Sequence, residues 1–146
     1  RRTPRLVGCE SLVTRETNTE SRWQTLVPAS GAYRLEVGST PTLDRLAYRS
    51  FSRQTPSAGE IEIEVAATGL NFSDVLKAMG LYPGLKPGAV PIGIECSGRV
   101  CAVGPGVTEF QVGDEVLGIA PFSFASHTTT SVLGVVPKPR SITHEE

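Results

Sequence analysis

The chain has 146 residues, 39% of them hydrophobic, and its 14 basic and 15 acidic side chains leave a net charge of −1. A domain of that length hides about 70% of the surface its unfolded chain exposes, so one compact unit with a real core is expected. Near-neutral charge spread along the sequence offers no field for a polyanion, and no apolar run approaches the roughly 20 residues that cross a bilayer. Neither nucleic acid nor membrane is therefore an expected partner, and with no leader pattern at the Arg1 end the expected location is cytoplasmic.

Residues 1–31 carry the weakest pattern. Short strand-like runs at 5–9 and 23–27 flank a polar stretch rich in Thr, Glu, Asn and Ser, which fits a lead-in or linker from an upstream domain. The second unit is expected at 32–146, where turn signals become regular. Residues 33–37 alternate, 38–41 turn, 43–51 extend, and 56–59 turn again. Residues 60–65 form the clearest strand, with Ile61, Ile63 and Val65 pointing inward and Glu60, Glu62 and Glu64 expected on a solvated face.

The segment 69–84, GLNFSDVLKAMGLYPG, interrupts this strand pattern with a helix signal. Phe72, Val75, Leu76 and Met79 fall at i, i+3, i+4 and i+7, which puts them on one face of a helix about two turns long. Asn71 or Ser73 can cap its start, and Gly80 can take the left-handed conformation that ends it. If the apolar face is buried, the polar groups Asn71, Asp74 and Tyr82 are left for a ligand. Purely structural roles stand beside that reading: Asn71 closing the strand-to-helix turn, Asp74 meeting the positive end of the helix, Tyr82 covering the loop.

After a loop at 85–91, residues 92–103 read as one long strand whose core face is Ile92, Ile94, Cys96, Gly98, Val100 and Ala102. Further strands are expected at 114–119, 124–130 and 133–136. Thr143 and Glu146 then have capping-box spacing, so a helix is expected to begin there and a following domain to have been cut away. Cys9, Cys96 and Cys101 are an odd set without zinc-ligand spacing. On one strand Cys96 and Cys101 would lie about 16 Å apart and face opposite ways, so reduced thiols are expected. His127 and His144 read as a strand-surface and a helix-start residue, with no ligand partner at metal spacing. There is no dinucleotide fingerprint, phosphate loop or nucleophile elbow. Many short strands with frequent Gly and Pro give a mainly β class, a partly open β-barrel with a few short helices.

The helix segment, together with PIGIECSG at 91–98, VGPGV at 103–107, VGDEV at 112–116, FSFA at 122–125 and VPKP at 136–139, resembles the medium-chain dehydrogenase/reductase superfamily. The resemblance, from about Tyr33 to Glu146, is to the enoyl reductase domains of polyketide synthases. It implies a GroES-like substrate-binding domain at 32–146, normally completed by a Rossmann domain that binds NADPH. Zinc-dependent members look similar but carry Cys where this chain has Asn71 and His where it has Ile94. The zinc-free, quinone-oxidoreductase-like branch is therefore implied, with no metal.

The implied reaction is reduction of an α,β-unsaturated acyl thioester on acyl carrier protein by hydride from NADPH. Adjacent synthase domains would be the other partners. By the same resemblance Asn71 sits beside nicotinamide and substrate, Tyr82 is a proton donor linked to product stereochemistry, and Asp74 orders the loop or contacts substrate. Phe122 and Phe124 line the acyl channel or pack in the core, and Glu95 has at most a pairing role. This chain alone is expected to be inactive, since the glycine turn that anchors the cofactor phosphates is missing. The alternatives are a non-catalytic GroES-like interaction module and a fragment of a free-standing quinone or alkenal reductase.

Overall fold

A computed structural model describes residues 28, 30–85 and 89–146. The expected strands at 5–9 and 23–27, Cys9, and residues 86–88 of the expected loop lie outside the described residues. Among the described residues seven strands and one α-helix follow in order: β1 (Tyr33–Glu36), β2 (Ala47–Ser50), β3 (Glu60–Thr68), α1 (Phe72–Ala78), β4 (Glu95–Val103), β5 (Glu115–Ile119), β6 (His127–Ser131) and β7 (Val135–Pro137). Two single 3-10 turns, Leu43–Arg45 and Val132–Gly134, lead into β2 and β7. The first replaces the start of the extended run expected at 43–51.

All pairing is antiparallel, in a five-stranded sheet of order β6-β3-β4-β5-β7 and a two-stranded β1–β2 ribbon. The ribbon is stitched to the chain that enters β6. Leu35 N–H donates to Phe124 O at 2.7 Å, Ser126 N–H to Tyr33 O at 2.8 Å, and Val65 N–H to Ser126 O at 2.9 Å. Those bonds curl the sheet without closing it, giving the partly open barrel that the strand count implied. Two register shifts in the β3–β4 pairing, at Glu62/Ile63 and at Val65/Ala67, supply the bend.

Ile61 and Ile63 are fully buried at the centre of a core that includes Cys96, Val100, Val116, Ala120 and Val135. Burying each such branched side chain contributes about 1.5–3 kcal/mol. The outward face of β3 departs from the sequence expectation. Glu62 is only 3% exposed, because Arg53 grips its carboxylate with Nε at 2.8 Å and a second guanidinium nitrogen. That pairing holds the Glu62 carboxyl below the usual carboxylate range. Cys101 lies on the same side, its thiol on the Glu62 carboxylate at 3.2 Å, whereas Cys96 is in the core. The two thiols thus face opposite ways; burial pushes Cys96 to about 11, and burial followed by Glu62 does the same to Cys101. Among the described residues no helix is long and apolar enough to cross a membrane.

Candidate functional site

Asn71 adopts extended backbone as the N-cap of α1, and Gly80, at φ 69°, ends the helix in the left-handed conformation. Gly80 N–H donates to Lys77 O at 3.1 Å and Leu81 N–H to Leu76 O at 2.8 Å, the paired bonds of a Schellman stop. Both helix ends therefore fall where the sequence put them. The orientation of the helix does not. Asp74 and Lys77 are 2% and 7% exposed and face inward, whereas Phe72 is 76% exposed and Met79 is also turned to solvent. Of the apolar stripe expected to pack on the barrel, Phe72 and Met79 at its two ends are exposed, and Val75 and Leu76 between them are half-buried.

The inward face is held by hydrogen bonds. Asp74 Oδ2 accepts from Asn71 N–H at 3.0 Å, and Oδ1 accepts from Gly93 N–H at 2.9 Å. Lys77 Nζ lies 3.7 Å from Asp74 Oδ1 and donates to Pro91 O at 3.0 Å. Gly93 sits at φ 85°, and a Cβ there would run into the backbone of Ser123 and Phe124, so this loop can approach only with glycine at that point. Asp74 thus joins the start of α1 to the entry of β4. It is not an open ligand group.

Asn71 turns its side chain the other way, with Nδ2 donating to Glu95 Oε1 at 3.1 Å. An amide nitrogen has two protons, so a second donor exists beyond this contact. Glu95 lies at the edge of an open cleft of about 880 Å³, walled by Tyr48, Leu70, Leu117, Ile119, Phe124 and Val136 with Thr68, Ser97 and His144 among its polar groups. Thr68 donates to Glu95 O at 2.8 Å, and its Oγ1 lies 3.0 Å from Ser123 Oγ. A hydroxyl has one proton, so Ser123 is the donor in that second contact. The 122–125 turn is thereby fastened to the ends of β3 and β4.

Of the residues singled out from the sequence, Phe124 lines this cleft and Asn71 touches it through Glu95. Phe122 does not line it. At φ 61°, its ring is covered by the Arg34 guanidinium, 4.9 Å from the ring centroid, on the side of the β1–β2 ribbon. Tyr82 is exposed beyond the end of α1 and joins the corner through Lys77, whose Nζ lies 5.6 Å from its ring centroid.

Ser97 carried no expected role, and His144 was expected at the start of a helix that is not formed among the described residues. Ser97 Oγ and His144 Nδ1 are 2.5 Å apart, and His144 Nε2 lies 3.6 Å from Glu115. Nothing in the spacing of residues 97, 115 and 144 signals that meeting. Glu146 accepts from Thr143 N–H at 2.9 Å, one half of the expected capping pair, although no helix is formed there among the described residues.

A partly open barrel with one short helix, an apolar cleft and a polar helix start defines a class: the GroES-like lobe of the medium-chain dehydrogenase/reductase superfamily. The chain belongs to the alcohol dehydrogenase GroES-like domain family, whose model matches residues 57–135. It is 39% identical to a phenolphthiocerol/phthiocerol polyketide synthase of Mycobacterium tuberculosis over 97% of this chain and 7% of the synthase. Among solved structures, the CurK enoyl reductase superposes with a TM-score of 0.73 at 40% identity, covering 79% of this chain and 37% of that one. The Escherichia coli quinone oxidoreductase complexed with NADPH gives 0.69 at 29% identity, covering 77% and 35%. The chain thus spans well under half of each relative.

Proposed function

We propose that this chain is the substrate-domain portion of a polyketide synthase trans-enoyl reductase, acting on an α,β-unsaturated thioester carried by acyl carrier protein. The observation that carries the proposal is the corner at α1. At the start of α1 the half-exposed Asn71 amide bonds Glu95 in the lining of a largely apolar cleft, and beyond the helix end stands an exposed Tyr82 phenol, in a chain 40% identical to a solved enoyl reductase.

The residues present suit a nicotinamide cofactor in part. Asn71, with a second amide proton, and the exposed Phe72 beside it offer a polar edge and an apolar face to a flat ring. NADPH, when bound, would supply hydride to the substrate β-carbon. As that carbon is reduced, the thioester oxygen gains negative charge, and donors aimed there lower the barrier; Asn71 is the candidate in this chain. Tyr82 delivers the proton that the α-carbon needs from its phenol and is reprotonated from solvent. Asp74 does no chemistry and holds Asn71 in place. Leu70 and Phe124 keep the acyl chain out of water. The phosphate-binding turn is missing from the sequence, so the chain alone is expected to be silent.

Extending the chain to reductase length and following NADPH oxidation with a crotonyl thioester tests the proposal. Activity is expected, with Tyr82→Phe lowering kcat by about 10²-fold or inverting product configuration. If Tyr82→Phe changes neither rate nor configuration, the proton-donor role is lost. Micromolar NADPH binding to the present chain by calorimetry would contradict its predicted silence.

A further inference from the structure

We propose that Lys77 is a positioning residue for Tyr82. The proposal rests on the proton-donor role given to Tyr82 above. A lysine that is 7% exposed needs a reason for its burial, since a desolvated ammonium is costly unless every donor is engaged. Lys77 has three engagements, and each lies on a different part of the corner: Asp74 on α1 at 3.7 Å, Pro91 O on the loop entering β4 at 3.0 Å, and the face of the Tyr82 ring at 5.6 Å. Asp74 is itself fixed by Asn71 and Gly93. The ammonium is therefore a point of known position, built from the same residues that place Asn71.

Among the described residues Tyr82 has no such anchor of its own. It follows the Schellman stop at Gly80 and Leu81, and it is 39% exposed. A cation with its stem buried attracts an aromatic face more strongly than one in water, because less hydration is lost by the contact. Lys77 thus sets the plane of the Tyr82 ring relative to Asn71, and with it the face of the substrate on which the phenol can act. Simple support of the helix would require the Asp74 and Pro91 contacts alone; the ring contact adds a constraint on Tyr82.

The test uses the reductase-length chain with Lys77→Met, Lys77→Arg and Tyr82→Phe, singly and with Lys77→Met/Tyr82→Phe combined. Lys77→Met is expected to lower kcat by about tenfold with KM changed less than about threefold. Lys77→Arg, which keeps a cation over the ring, restores most of the rate. In the Tyr82→Phe background Lys77→Met has no further effect on kcat, because the phenol it places is gone. Rate losses that multiply in the double variant, or an unchanged kcat in Lys77→Met, overturn the proposal.

Fluorotyrosine at position 82, followed by fluorine NMR, supplies a readout independent of activity. Its resonance moves toward the free-tyrosine shift in Lys77→Met and not in Lys77→Arg; an unmoved resonance also overturns the proposal. Failure of the donor role shows differently, as a Tyr82→Phe enzyme with unchanged rate and configuration while the resonance still responds to Lys77→Met. That outcome reduces Lys77 to a structural cation and overturns its catalytic positioning. Should Lys77→Met unfold by stranding Asp74, Asp74→Asn/Lys77→Met carries the same comparisons against Asp74→Asn.

Discussion

The β3–β4–β5 core and the α1 corner obey opposite rules. In the core, alternation along each strand turns Ile61, Ile63, Val100 and Val116 inward, and their burial is the main stabilising term. At α1 the charged Asp74 and Lys77 are inside and the apolar Phe72 and Met79 are outside. The difference separates a region whose contacts are satisfied within the chain from one whose outer face remains available. The inward ion pair and its backbone partners fix the corner, and the exposed Phe72 and Met79 side chains contribute little to it.

Substitutions that trade the two regions should break or sharpen that contrast. The largest expected effect is Ile63→Ala, which empties a fully buried site and should cost about 3–4 kcal/mol in urea unfolding. Phe72→Ser, nominally the more drastic change, should stay within about 0.5 kcal/mol, and a loss as large as that of Ile63→Ala would show that α1 packs apolar side inward. Next, Asp74→Ala removes the acceptor of Asn71 N–H and Gly93 N–H and leaves Lys77 without its carboxylate. A loss of about 2–3 kcal/mol is expected, together with faster amide exchange at Gly93; unchanged exchange there would contradict the link between the two segments.

The smallest effect is in the pH dependence. Burial, with Arg53 next in importance, lowers His127 from its ordinary value, and Arg53 lowers Glu62. Both groups bind more protons unfolded than folded over the interval between their two values. Stability therefore rises with pH there. Acidification should first erode stability as pH falls below about 6.5, where unfolded histidine takes its proton, and again below about 4.3 as Glu62 is forced toward protonation. In His127→Gln the first step should vanish and the second remain; persistence of both steps in thermal melts across pH would assign the first to another group.

Much of this molecule was legible in its residues. The approximate places of the strands from residue 33 onward, though not their starts at 47 and 95, the limits of α1 with its Asn71 and Gly80 caps, the opposed faces of Cys96 and Cys101, and the family itself follow from period, turn chemistry and ordered motifs. These are short-range properties, fixed by backbone dihedrals and by neighbours three or four residues away.

What only tertiary structure decided is which way those elements face. Periodicity states that Phe72, Val75, Leu76 and Met79 share a side of α1, but not whether a core lies against that side. The answer came from Gly93 N–H and Pro91 O, 19 residues from Asp74 and 14 from Lys77, which give a buried carboxylate and ammonium the partners they need. The same holds for Glu62, taken out of solvent by Arg53 nine residues earlier, and for Ser97, which meets His144 across 47 residues. A buried polar group is tolerated only where distant donors and acceptors converge on it, and that convergence exists only once the chain has folded.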